Sequence, residues 1–127
     1  MKIAISTSTG GLDDKVSDVF GRTGSFTIVE VVDGEIKNIE IVKNEFAVRG
    51  GGAGIAVSQF LADKGVEVVL TGSIGPNALS VLNSAGIKAY RASGMKVSEA
   101  IKRFLNNELE QIKSPSNPKF GRWRRMP

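Results

Sequence analysis

Histidine and cysteine are both absent from this 127-residue chain, and those two absences exclude more chemistry than any one motif supplies. Without imidazole there is no ring nitrogen to act as base or metal ligand, and no Ser-His or Cys-His pair. Without thiolate there is no sulfur nucleophile and no cysteine ligand for zinc or an iron–sulfur cluster. Disulfides are excluded as well, which leaves the compartment open, since a domain of this size holds together without them. Binding is favoured over catalysis from the outset. Long apolar runs are also missing: none approaches the ~18 residues of a membrane span. Met1-Lys2-Ile3-Ala4-Ile5 passes directly into a polar segment, so neither a membrane segment nor a signal peptide is expected and a cytoplasmic protein is the default.

Acid is missing from one region only. All 13 acidic residues precede Lys113, whereas five of the 17 basic ones are Lys113, Lys119, Arg122, Arg124 and Arg125. The rest of the chain has 12 basic residues against 13 acidic ones, so the net charge of +4 belongs to a tail rather than to a domain face. The expected organisation is one domain over residues 1–112 and a basic, disordered tail over 113–127. The tail's Phe120-Gly121-Arg122-Trp123-Arg124-Arg125 interleaves aromatics with arginines, a mix that stacks on bases and contacts phosphates. A partner- or nucleic-acid-binding module working through this tail is the alternative reading of the whole chain; for the tail itself, a mobile appendage or a contact with an acidic partner is favoured over specific RNA or DNA binding.

What is plentiful is glycine, at 15 residues. Two glycine-bearing junctions, Gly50-Gly51-Gly52-Ala53-Gly54 and Thr71-Gly72-Ser73-Ile74-Gly75-Pro76-Asn77, each lead into a helical apolar stripe. Helix N-termini leave backbone N–H groups unpaired and carry partial positive charge, so converging starts with little side-chain bulk make a cradle for an anion. The first junction is not a P-loop, because it continues Ile55-Ala56-Val57 with no Gly-Lys-Ser/Thr. A dinucleotide fingerprint fails too, finding Ile55 or Val57 where Gly or Ala belongs. A loop that merely precedes a helix remains the competing reading.

Elements follow from periodicity. Lys2 to Ser6 reads as a buried strand followed by a loop to about Gly24. Ser25 to Val32 and Glu35 to Val42 flank Asp33-Gly34, the signal of a tight hairpin; in the second, Ile36, Asn38, Glu40 and Val42 alternate imperfectly against Lys37, Ile39 and Ile41. From Ala53 a helix turns Ala56, Val57, Phe60 and Leu61 inward, with Ser58, Gln59, Asp63 and Lys64 away, and Gly65 ends it. Val66 to Leu70 is a buried parallel strand. Pro76 opens a helix with Ala78, Leu79, Leu82 and Ala85 inward, closed by Gly86. A fifth strand, Ile87 to Tyr90, precedes a last helix from Val97 to Glu110, with Val97, Ala100, Ile101, Phe104 and Leu105 inward. The order βββαβαβα predicts an open α/β fold with a mixed five-stranded sheet, parallel except for the hairpin's middle strand, flanked by helices and binding ligands at strand C-termini.

Phe20-Gly21-Arg22 combines a glycine, which permits close backbone approach, with a guanidinium suited to anions. The alternative is that Phe20 anchors the loop and Arg22 pairs with Asp18 or Asp14. Asp13, Asp14 and Asp18 could attract a hard divalent cation, or stand as solvated loop acids.

Several of these segments, in order, resemble the dinitrogenase iron-molybdenum cofactor biosynthesis family: Met1 to Thr7, Val16-Ser17-Asp18-Val19-Phe20-Gly21-Arg22, the hairpin Asp33 to Asn38, Gly52-Ala53-Gly54, and Gly72 to Ala78. The resemblance covers about residues 1–110. It implies a ribonuclease H-like fold, a place in nitrogen-fixation-related cofactor assembly, and transient, non-catalytic binding of iron–sulfur or iron–molybdenum cofactor precursors, with a protein partner in that assembly. Family members often carry histidine just before Phe-Gly-Arg and again in the glycine loop; here Val19 and Arg49, or a glycine beside it, stand there. The metal-ligating side chains are therefore missing, and no metal-site residue is assigned. The cofactor-binding set implied is Gly21, Arg22, Arg49, Gly50, Gly51, Gly52, Gly54, Ser73, Gly75 and Asn77, holding an anionic small ligand or cluster precursor of unknown identity, weakly because His and Cys are absent. The fold also raises nuclease chemistry, which needs a carboxylate cluster including one on the first strand; residues 2–6 offer none.

Overall fold

A computed structural model describes residues 1–47 and 52–114. Arg49, Gly50 and Gly51 of the expected site, and nearly all of the expected tail, lie outside the described residues. The elements are β1 (Lys2–Thr7), β2 (Ser25–Val32), β3 (Glu35–Lys43), α1 (Ala53–Asp63), β4 (Val68–Thr71), α2 (Pro76–Ser84), β5 (Lys88–Arg91), α3 (Val97–Leu105) and β6 (Glu110–Gln111). They form one mixed sheet in the order β3-β2-β1-β4-β5-β6. β1, β4 and β5 run parallel, and β2 is antiparallel to both β1 and β3.

The strand period of two divides the core. Ala4, Phe26, Ile28, Val69 and Ala89 point to one face, where they meet Val57 and Leu61 of α1 and Leu79 and Leu82 of α2. Ile3, Ile5, Val29, Val31, Val68 and Leu70 point to the other, covered by Val97, Ala100 and Ile101 of α3. The hairpin turn has φ of 53° at Asp33 and 79° at Gly34, the pair of left-handed residues that a type I′ turn requires. Among the described residues, no helix is long and apolar enough to cross a membrane.

Five expectations are corrected, the first being Ala85, expected inward but exposed at the C-cap of α2, past the last turn that packs on the sheet. The sheet has six strands, not five: α3 stops at Leu105, Asn107 takes φ of 59°, and Glu110–Gln111 pairs antiparallel with Tyr90–Arg91. A left-handed Asn is a known helix terminator, and the turn it makes lets the Ile112 amide bond to the Ala89 carbonyl at 2.8 Å while its side chain enters the core. The parallel rule accordingly has a second exception, in β6. Ser58, expected to face away, is buried, because its hydroxyl donates to the carbonyl of Gly54 at 2.7 Å and reaches that of Ala78. The imperfect alternation in β3 is a bulge: Glu30 pairs with Asn38 but Val31 with Ile36, leaving Lys37 extra. Ile36 therefore packs toward the α3 face and Val42 toward the α1 face.

Candidate anion-binding site

The C-terminal ends of β1 and β4 carry the loops that build the site. Beyond β4, Gly72 lies against Asp18 so closely that an added Cβ would sit 2.5 Å from the Asp18 carbonyl oxygen and 2.6 Å from its Cα. That contact lets the Ser73 amide and hydroxyl both donate to the Asp18 carbonyl, at 2.7 and 2.8 Å, and the Phe20 amide donate to the Ser73 carbonyl at 3.1 Å. Residues 18–20 thus run beside 72–74 like a short extra strand, with Val19 bridging Ser73 in parallel. Phe20 anchors the segment in the core, edge-on to Phe26 with ring centroids 5.5 Å apart.

Small residues then bring the helix starts to this segment. A Cβ on Gly21 would lie 3.0 Å from Gly54 Cα, and one on Gly54 would lie 2.9 Å from the Ala78 methyl. Helix α1 starts from Gly52, at φ of 85°, and α2 from Gly75 followed by Pro76; neither has a side-chain cap or an acidic residue in its first turn. The first intrahelical bonds run from Ala56 to Gly52 and from Leu79 to Gly75, both at 3.0 Å. The amides of Ala53, Gly54 and Ile55, and of Asn77 and Ala78, precede those bonds, where a helix has donors but no acceptors of its own.

Between the two starts lies a cavity of about 290 Å³, lined by Gly21, Arg22, Gly52, Gly54, Ser73, Gly75 and Asn77 among others, with no acidic residue in its wall among the described residues. All the expected site residues that the structure describes meet there. Ser73 presents an oxygen whose proton is committed to Asp18. Arg22 is exposed at the rim, its Nη1 3.4 Å from the Ala47 carbonyl. The acids proposed as its partners are engaged elsewhere. Asp18 accepts a hydrogen bond from the Ser93 hydroxyl. Asp14 accepts the amides of Gly10, Thr9 and Ser8 at 2.9, 2.9 and 3.0 Å, and of Lys15 at 2.8 Å. These bonds, that of Gly10 foremost, hold the Asp14 carboxyl below its ordinary value of 3.8 against a smaller opposing effect of burial. Asp13, Asp14 and Asp18 do not converge, and among the described residues no group of three acidic, histidine or cysteine side chains could hold a metal ion.

Sequence reasoning missed three contributors. Asn44, buried, donates to the carbonyls of Gly21 at 3.0 Å and Thr23 at 2.9 Å while its own oxygen accepts the Phe46 amide. It ties the turn after β3 to the Phe-Gly-Arg segment. An Asn just after a strand signals a turn, but partners 21 and 23 residues away leave no local trace. Val19 and Ile55 are the other two, standing 49% and 38% exposed in the cavity wall and adding two apolar edges to a pocket of mixed polarity.

A family model described as dinitrogenase iron-molybdenum cofactor matches residues 1–107. An uncharacterized protein of Methanocaldococcus jannaschii is 38% identical over 112 residues, spanning 88% of this chain and 92% of its own. Among solved structures, the apo form of the orange protein from Desulfovibrio gigas is similar with a TM-score of 0.84 and 35% identity, over 91% of this chain and 96% of that one. A NifB-like Thermotoga protein of the DUF35 family is similar with a TM-score of 0.76 and 36% identity, over 91% and 97%.

Proposed function

The chain belongs to the dinitrogenase iron-molybdenum cofactor family, and from that premise we propose that it is a non-enzymatic binding domain that holds an anionic cofactor or cluster precursor. The observation that carries this reading is the convergence of two helix N-termini, with no side-chain cap and no acid in the first turn of either, on one cavity with no acid in its wall among the described residues. Each terminus offers amide donors and a partial positive charge. Arg22 adds a full charge at the rim of the cavity. Asn77, whose side-chain amide can donate, supplies orientation, while Ser73, with both donors committed to Asp18, holds the loop in place.

Iron ligated directly by this protein does not fit, since neither His nor Cys exists anywhere in the chain. What fits is an anion that brings its own ligands and is held from outside by N–H groups. Such a hold is reversible, which suits a cytoplasmic carrier that passes its cargo to a protein partner in cofactor assembly. The strand order β3-β2-β1-β4-β5 supports reading the fold as ribonuclease H-like. β1 carries no carboxylate, so the two-metal nuclease chemistry of some proteins with that fold has no seat here.

Calorimetry with molybdate and inorganic phosphate, beside native mass spectrometry of anaerobically purified full-length protein, tests the reading. One anion bound per chain, weakened by Arg22→Ala, is the expected result. No binding of either anion together with no co-purified cofactor would contradict it.

A further inference from the structure

The two edges of the sheet differ sharply. β6, at one edge, is two residues long, whereas β3, at the other, is nine, and among the described residues no strand pairs its outer side. A long open edge is a template for another strand and is normally blunted or covered. The bulge at Lys37 aligns Ile36, Ile39 and Ile41 on the α3 face, and Ile39 and Ile41 remain 43% and 52% exposed.

We propose that the outer edge of β3 is a self-association surface on which a second copy of this chain lays its own β3 antiparallel. A two-fold axis perpendicular to the sheet keeps each residue on its own face, so the candidate registers are those centred on a residue. Centred on Ile39, the pairing sets Ile39 opposite the partner's Ile39. Stepping past the extra Lys37 on each strand, Ile36 meets the partner's Ile41 and Ile41 meets the partner's Ile36. All six isoleucines then form one ladder, the cross-strand contact that stabilises sheets. On the opposite face Asn38 stands against the partner's Glu40, an amide donor against a carboxylate. Glu40 already has Lys64 of α1 at 3.0 Å, which tempers its charge at the junction. The neighbouring registers fail: centring on Asn38 sets Glu40 against the partner's Glu35, centring on Glu40 opposes two carboxylates, and centring on Ile41 sets Lys43 against the partner's Ile39. Charge and apolar pattern thus select one register, and a surface this narrow belongs to the weak, reversible class of interfaces.

Sedimentation velocity of the full chain over rising concentration is expected to move the species from 13.5 kDa toward twice that mass. Ile39→Lys, which sets two ammonium groups opposite each other, is expected to remain at the monomer mass with unchanged circular dichroism. Because the chain has no cysteine, Ile39→Cys supplies an independent test: oxidised glutathione should convert it to a covalent dimer several-fold faster than Lys102→Cys on exposed α3. A wild type that stays monomeric throughout, a dimer untouched by Ile39→Lys, or equal cross-linking at positions 39 and 102 would overturn the proposal.

Discussion

Two places in this molecule gather backbone amides into a small concave group, and they are used in opposite ways. In the loop after β1, the amides of Ser8, Thr9 and Gly10 close on the Asp14 carboxylate. That nest is an anion site filled by the chain itself. At the starts of α1 and α2, the amides face a cavity, no side chain caps them, and no acid stands in either first turn. Helix starts are ordinarily capped by Ser, Thr, Asp or Asn, at a gain of about 1 kcal/mol; glycine stands at both caps here. The contrast is that the chain satisfies the clustered donors after β1 with its own carboxylate, whereas no side chain does so at the starts of α1 and α2, which are the donors the proposed function assigns to a ligand.

The largest effect expected from breaking this arrangement is at Gly72. In Gly72→Ala the added methyl meets the backbone of Asp18, which cannot move without parting β4 from the Phe-Gly-Arg segment. We expect a loss of about 3 kcal/mol in stability by denaturant melt, with anion binding lost alongside. Next comes Arg22→Ala, expected to weaken molybdate binding by about 1.5 to 3 kcal/mol, the range for hydrogen bonds to a charged group, while the melting temperature moves little because the residue is exposed in a loop. Arg22→Lys should recover part of that, since an ammonium lacks the planar fork. If Arg22→Ala instead lowers the melting temperature and leaves binding alone, the arginine is a prop for Ala47 and no more.

Asn44→Ala sharpens the comparison from the structural side. It removes donors from the Gly21 and Thr23 carbonyls and the acceptor from the Phe46 amide, and should cost about 1.5 kcal/mol of stability by thermal melt, with a milder loss of binding. The smallest effect belongs to Asp14. Its folded pKa is depressed, so the stability it contributes is fully present above the ordinary value of 3.8 and is lost as pH falls through the folded value. Asp14→Asn should therefore lower stability at neutral pH by about 1 kcal/mol, discounted because the group is partly solvated. It should also flatten the stability curve below about pH 4 and leave anion binding unchanged.

How much of this was legible beforehand depends on the range of the interaction. Asp33-Gly34, Pro76, Gly65 and Gly86 act through local backbone geometry, and the hairpin, the start of α2 and the ends of α1 and α2 fall where they indicate. The convergence of Gly21, Gly54 and Asn77 was also readable, because element order alone brings those loops to neighbouring strand ends. β6 was not: two residues carry no periodicity, and their pairing depends on where Asn107 happens to stop α3. The same holds for Ser58, whose burial is set by the carbonyls of Gly54 and of Ala78 on another helix. It holds for Asp14, too, whose partners are amides with no signature of their own. The bulge at Lys37 was visible only as a flaw in alternation, and the face it chooses is decided by β2.

The most direct test of the central claim is amide chemical-shift mapping of the full-length protein as molybdate is added. The account predicts that the amides of Gly54, Ile55, Asn77 and Ala78 shift together along one saturating curve, while those of Ser8, Thr9 and Gly10, already occupied by Asp14, stay in place. Shifts centred on Ser8 to Gly10, or saturating binding that leaves both helix starts unmoved, would contradict it.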